Sequence, residues 1–101
     1  MGQLIRIREM EQMLNDATAA LSQMHKALER YEAAQHSIAL LAAYMGSDEW
    51  RQDLSDDERG LLPPDIKRGE LSEDGIWNLL EDNHETALSM QALANRLLNE
   101  D

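Results

Sequence analysis

Apolar residues recur in alternating steps of three and four along the first 45 residues of the chain. The series, in which only one member is fully polar (Gln35), consists of Ile7, Met10, Leu14, Ala17, Leu21, Met24, Leu28, Tyr31, Gln35, Ile38, Ala42 and Met45. Such a heptad seam is typical of a long helix that packs against other helices, as in a coiled coil. It predicts one helix over residues 3–46, with Gly46 at its end, since glycine readily takes the left-handed conformation that terminates helices.

A second apolar row runs beside the heptad seam, one residue earlier in each repeat. It consists of Met13, Ala20, Ala27, Ala34 and Leu41. The apolar stripe therefore covers three positions in seven, which is wider than a two-stranded coiled coil needs. This width predicts a helix with two neighbours in a helical bundle.

A second long helix is predicted over residues 72–99. Ser72 can cap its first backbone amides, and Glu73 and Asp74 suit the positive end of the helix dipole. The chain shows no strand-like alternation. We therefore expect an all-α fold for the single domain 1–101, with two long antiparallel helices joined by a structured linker over residues 47–71.

Short helical turns are expected inside this linker. Ser47 and Ser55 each begin an acidic run that predicts a helix start, and Ser55 with Glu58 has the spacing of a capping box. Pro63 and Pro64 then favour an extended passage. A linker of this length should fold over one end of the bundle through its apolar residues and the start of the second helix. Those residues are Trp50, Leu54, Leu61, Leu62, Ile66, Leu71 and Trp77.

Charge and cysteine content limit the range of functions. The formal net charge is −11, and residues 47–101 carry 15 acidic and five basic side chains. This balance argues against binding to nucleic acid or to an anionic membrane surface, since both require basic patches. The acidic surface is interpreted either as a solvated face or as a docking face for a basic protein partner. The absence of cysteine suits a reducing compartment, so we expect a cytoplasmic protein.

The segment from Tyr44 to Leu80 has a pattern that the heptad repeat does not explain. It contains GSDEW at residues 46–50, an acidic run ending at Gly60, a Leu-Pro pair and IKRGELSEDGIWNLL at residues 66–80. These features resemble the signature of a bacterial family of small helical proteins catalogued as domain of unknown function 4298. Glu70 departs from that pattern, which has an apolar residue there. The resemblance implies a helical fold and supplies no activity.

Four linker and helix residues are candidates for partner binding, each with a structural alternative. Trp50 and Trp77 can form an aromatic pocket for a peptide, or they can cover the end of the bundle. Lys67 and Arg68 can bind an anion. Alternatively, they can satisfy backbone carbonyls at the end of the first helix or neutralise nearby carboxylates. The carboxylates in question are Asp53, Asp56, Asp57 and Asp65.

The second helix carries the acidic cluster Glu81, Asp82 and Glu85, which is the remaining candidate for partner binding. Glu81 and His84 have the spacing of di-iron bundle ligands, but both fall off the apolar face of the second helix, which is centred on Ile76, Asn83 and Met90, and should point outward. No phosphate loop, nucleophile elbow or zinc-ligand cluster occurs, so we expect no cofactor. The sequence favours a non-catalytic helical protein–protein interaction module. The alternative is a small metal- or nucleotide-dependent enzyme that uses the linker and the acidic cluster.

The unequal lengths of the two helices predict an assembly. Aligned at the linker, the second helix ends opposite residue 20 of the first and leaves about 17 residues, or roughly 25 Å, uncovered. This overhang contains Ile7, Met10, Met13, Leu14 and Ala17. Such a patch is too continuous to remain in water on a monomer. We therefore predict a homodimeric bundle in which the N-terminal halves of the first helices pack antiparallel.

Overall fold

The computed structural model of the protein describes residues 2–68 and 73–99, which form three helices. These are α1 (Gly2–Tyr44), α2 (Asp48–Glu58) and α3 (Glu73–Asn99). No strand occurs within these two ranges, so the predicted all-α class is confirmed. The predicted helix cap Ser72, the linker residue Leu71 and the departure at Glu70 lie outside the described residues.

The chain divides into two compact units, Met1–His36 and Ser37–Asp101. The first unit contains a single element, the N-terminal part of α1. Every residue from Gly2 to Arg30 is exposed, including every heptad position in that range. One helix cannot bury its own side chains, so the apolar stripe of this unit lies on the surface.

The second unit contains the end of α1, α2, the segment after α2, and α3. From here on, the linker means only this segment, which begins at residue 59. Ile76 on α3 is only 3% exposed and is the one buried residue in the described part of the chain. It belongs to the apolar face predicted for the second helix. Several apolar residues of the same unit are half-buried: Ile38, Leu41, Met45, Trp50, Leu54, Leu62, Leu80 and Met90.

Helix α1 ends at Tyr44, two residues before the predicted stop. Gly46 follows in the left-handed region, with φ +81°. The Met45 amide donates to the Leu41 carbonyl at 3.0 Å, and the Ser47 amide donates to the Tyr44 carbonyl at 2.9 Å. Gly46 therefore provides the reversal that ends the helix, as its sequence position predicts.

Helix α2 corrects the prediction of two short helices in this region, because it is one continuous helix of 11 residues. Ser47 is its N-cap, and the Ser47 Oγ accepts from the Trp50 amide at 3.1 Å. Ser55 lies inside the helix, and its carbonyl accepts from the Arg59 amide at 3.0 Å. The capping-box interpretation of Ser55 is wrong because the residues before it already continue the helix.

The linker leaves α2 through Gly60, which has φ +71°. A turn follows at residues 63–66, where the Ile66 amide donates to the Pro63 carbonyl at 3.3 Å. The predicted apolar cap is only partly correct. Trp50, Leu54 and Leu62 are half-buried, whereas Leu61, Ile66 and Trp77 are exposed. Besides the partial burial of Leu62, polar contacts from a single arginine, described below, fasten this linker.

Candidate functional site

A hydrogen-bonded corner joins α1, α2 and the linker; we define it by Tyr44, Trp50, Asp53, Asp57 and Arg68. Its first contact connects the end of α1 to α2. The Tyr44 hydroxyl donates to Oδ2 of Asp53 at 2.6 Å, a short distance typical of a hydrogen bond to a carboxylate. Because Gly46 reverses the chain and Ser47 restarts a helix, Tyr44 and Asp53 meet although they are nine residues apart.

Arg68 fastens the linker to α2. Its Nε donates to Oδ1 of Asp57 in an ion pair that is partly shielded from solvent, with the side chains 34% and 23% exposed. The other guanidinium nitrogens donate to carbonyls of the linker itself. Nη1 bonds Ile66 at 3.1 Å and Pro64 at 3.4 Å, and Nη2 bonds Pro63 at 3.0 Å.

The contacts of Arg68 bear on the anion-site hypothesis. The guanidinium neutralises a carboxylate and satisfies carbonyls, which is the structural alternative for Arg68. The carbonyls belong to the linker and not to the end of α1. Since Arg68 uses each of its nitrogens within the fold, its geometry favours a structural role. Lys67 is exposed, and its side chain makes no comparable set of hydrogen bonds among the described residues.

Trp50 and Trp77 occupy different environments. The Trp50 side chain is half-buried, and its Nε1 atom is shielded from solvent with no hydrogen-bond partner among the described residues. Trp77 is 49% exposed on α3. An aromatic pocket formed by both indoles stays a prediction.

The acidic strip, which we define as Glu81, Asp82 and Glu85, is exposed along one side of α3. Trp77 lies one turn before Glu81, and Glu85 lies one turn after it, so these three side chains are neighbours on the helix surface. Asp82 and Glu85 also line a surface depression of α3. The depression is lined by Asp82, Glu85, Thr86, Ser89, Met90 and Leu93. Four of the sequence-predicted candidates thus share one helix surface.

Glu81 and His84 are both exposed. In the part of the chain that the structure describes, no three His, Asp or Glu side chains gather closely enough to hold a metal ion. Nor does any helix in that part combine the length and apolar character that crossing a membrane requires.

The third candidate surface lies in the first unit, where the heptad seam is exposed from Ile7 to Leu28. We call these seven positions the exposed seam: Ile7, Met10, Leu14, Ala17, Leu21, Met24 and Leu28. Leu14 and Leu21 are each 61% exposed. Toward the second unit the exposure falls, to 39% at Leu28 and to half-buried at Tyr31. The exposed seam is therefore a bounded patch of about six helical turns.

These features define an all-helical protein with an apolar helix surface and an arginine-fastened corner. The sequence matches the family described as domain of unknown function (DUF4298) over residues 7–93. The chain belongs to this family, as its resemblance over residues 44–80 implied. No curated protein and no solved structure matches the sequence.

Sequence reasoning missed two structural contacts of the corner. The pairing of Tyr44 with Asp53 was not predicted. Arg68 was assigned to a group of four carboxylates, and the structure selects Asp57 among them. The sequence signal for this contact was Arg68 itself. An arginine among many acidic residues indicates an ion pair but does not identify its partner.

Proposed function

We propose that the protein is a non-catalytic helical interaction module that forms a homodimer through the N-terminal half of α1. The observation that carries this proposal is the exposed seam. Seven consecutive heptad positions have no cover within their own unit. A heptad pattern maintained over that length is the pattern of helix-to-helix contact.

Energetics support the same proposal. Fully burying a Leu, Ile or Met side chain contributes about 1.5–3 kcal/mol relative to leaving it exposed. Ile7, Met10 and Leu14 are each more than half exposed, so much of this free energy is not realised within one chain. Association of two copies through the exposed seam provides the missing burial.

The experiment is sedimentation equilibrium on the full chain and on Met10→Glu. A wild-type mass of two chains at micromolar concentration is expected. Glutamate in the exposed seam would be buried without a partner, so the dissociation constant should rise at least about 100-fold, which corresponds to roughly 2.8 kcal/mol.

The matched control is Ala19→Glu, which adds the same charge on the opposite side of α1. It should remain dimeric, because position 19 lies outside the apolar stripe. A wild-type mass of one chain, or equal weakening by both variants, would contradict the proposed dimer. Circular dichroism on each variant checks that helix content is unchanged.

The acidic strip provides a second surface for the same module, with a basic protein as its partner. This role is supported by one depression on α3, which Asp82 and Glu85 line together with the apolar Met90 and Leu93. The test is pulldown from the native host at low and high salt with wild type and a Glu81→Lys/Asp82→Lys/Glu85→Lys variant. A basic protein captured at low salt only by wild type supports this role. Equal capture by both leaves the strip as a solvated face.

A further inference from the structure

Three methionines lie together on the apolar stripe of α1. Met10 and Met24 belong to the exposed seam, and Met13 belongs to the second apolar row beside it. Resting on the proposed self-association, we propose that these three sulfurs are a modification site for a peroxide, and that their oxidation to methionine sulfoxide separates the two copies of the chain. The modified surface is the one through which the dimer forms.

The three side chains are more exposed than the methionines of the second unit. Met10 is 51% exposed, Met13 is 60% exposed and Met24 is 43% exposed. Met45 and Met90, by contrast, are half-buried. At about 1.5 Å per residue, positions 10 to 24 span roughly 21 Å along one side of α1. A peroxide therefore reaches these three sulfurs in a single chain more readily than it reaches the sulfurs of the second unit.

The composition of the chain directs the oxidant to methionine. The chain contains six methionines and no cysteine, so no thiolate of its own competes for the peroxide. The thioether sulfur attacks one peroxide oxygen and the O–O bond breaks. The sulfur loses two electrons and gains the S–O bond, while hydrogen peroxide is reduced to water. A methionine sulfoxide reductase with a dithiol reverses the step, because the oxygen leaves as water and the dithiol becomes a disulfide.

Oxidation changes the polarity of the surface on which the dimer depends. A methionine sulfoxide is polar, whereas the thioether that it replaces is apolar. In the dimer the sulfoxide oxygen would lose its contact with water among the apolar side chains of the exposed seam, which is costly without a hydrogen bond. Both copies carry the same three sulfurs. The dissociation constant should therefore rise at least about 100-fold when all three are oxidised.

Dimer formation and oxidation compete for the same sulfurs. The peroxide reaches them in the single chain, and the second copy covers them in the dimer. The oxidation rates of Met10 and Met24, relative to those of Met45 and Met90, should therefore fall as the protein concentration is raised through the dissociation constant. Peptide mapping by mass spectrometry measures these rates. Relative rates that do not change with concentration would overturn the proposed site.

The second test is sedimentation equilibrium on the full chain before and after treatment with hydrogen peroxide, which excess free methionine stops. We expect the mass of the wild type to change from two chains to one at micromolar concentration. It should return to two chains after incubation with methionine sulfoxide reductases A and B and dithiothreitol. A Met10→Leu/Met13→Leu/Met24→Leu variant keeps apolar side chains of similar volume and should stay dimeric throughout. The matched control, Met45→Leu/Met90→Leu, should respond as the wild type does.

Several outcomes would overturn the modification site while leaving the proposed dimer intact. One is a wild type that stays dimeric although mapping shows all three sulfurs oxidised, and another is equal dissociation of the wild type and the triple variant. If the triple variant is monomeric before treatment, Met45→Leu/Met90→Leu decides: dissociation on oxidation and return on reduction support the site, and no response overturns it. A wild-type mass of one chain before treatment removes the proposed function as well, so the two failures are distinguishable.

Discussion

Arg68 is expected to contribute more to the stability of the second unit than its exposed neighbour Lys67 does. Arg68→Met removes the partner of Asp57 and the donor to three linker carbonyls. The hydrogen bonds to the carbonyls are exposed, so water can replace the guanidinium there. Their loss therefore contributes little to the change in the free energy of unfolding.

The ion pair with Asp57 determines the magnitude. With side chains 34% and 23% exposed, it lies between two limits. A surface pair contributes about 0–1 kcal/mol, whereas removing one partner of a buried pair costs about 3–5 kcal/mol. We expect Arg68→Met to lower the free energy of unfolding by about 1.5 kcal/mol. For a chain of this size, that corresponds to a decrease in Tm of roughly 7 °C.

Urea denaturation followed by circular dichroism, at one fixed protein concentration, measures this cost. Lys67→Met is the matched control, because it removes the same charge from the neighbouring exposed residue and should change the free energy by less than about 0.5 kcal/mol. Arg68→Lys should recover only part of the loss, since lysine keeps the charge without the guanidinium geometry. Equal effects of Arg68→Met and Lys67→Met would refute the reasoning, as would a coupling energy near zero in a double-mutant cycle with Asp57→Asn.

Three further substitutions test the ends of α1 and α2 in the same denaturation assay. Gly46→Ala should cost about 1–2 kcal/mol, because the space around it is open and the penalty comes from its left-handed φ of +81°, whereas Gly2→Ala, at the first residue of α1, should cost nothing measurable. Ser47→Ala should cost about 1 kcal/mol as the loss of an N-cap, and Ser55→Ala should change stability by less than about 0.5 kcal/mol; the reverse order would restore the capping-box interpretation. Tyr44→Phe should cost about 1.5 kcal/mol through its bond to the α2 carboxylate, and an unchanged urea midpoint would show that this bond contributes nothing.

The long helices could be predicted from the sequence because their signal is local and repeated. The heptad seam repeats the same helical signal along α1, so misinterpreting one position does not change the prediction. Single local signals were less reliable. Ser55 and Glu58 have the spacing of a capping box, but this spacing also occurs inside a helix. Whether Ser55 caps a helix depends on the residues before it, and these already continue α2 from Ser47.

The corner could not be predicted in detail because its contacts depend on the path of the linker. Tyr44 meets a carboxylate nine residues away, and Arg68 meets one that is 11 residues away. Residues 47–72 offer eight acidic side chains. Charge alone cannot choose among them, since the choice requires the reversal at Gly46 and the turn after Pro63. Only the tertiary arrangement brings one particular acid within hydrogen-bond distance.

The corner and the exposed seam differ in what the fold requires of them. Tyr44, Gly46, Ser47 and Arg68 belong to the segment that carries the family resemblance, and each makes a contact or a turn that holds α1, α2 and the linker together. Folding alone therefore accounts for these residues. It does not account for Leu14, which is 61% exposed within a regular heptad pattern. A monomer gains nothing from an apolar residue at that position, so the proposed interaction should be tested on the exposed seam before the corner.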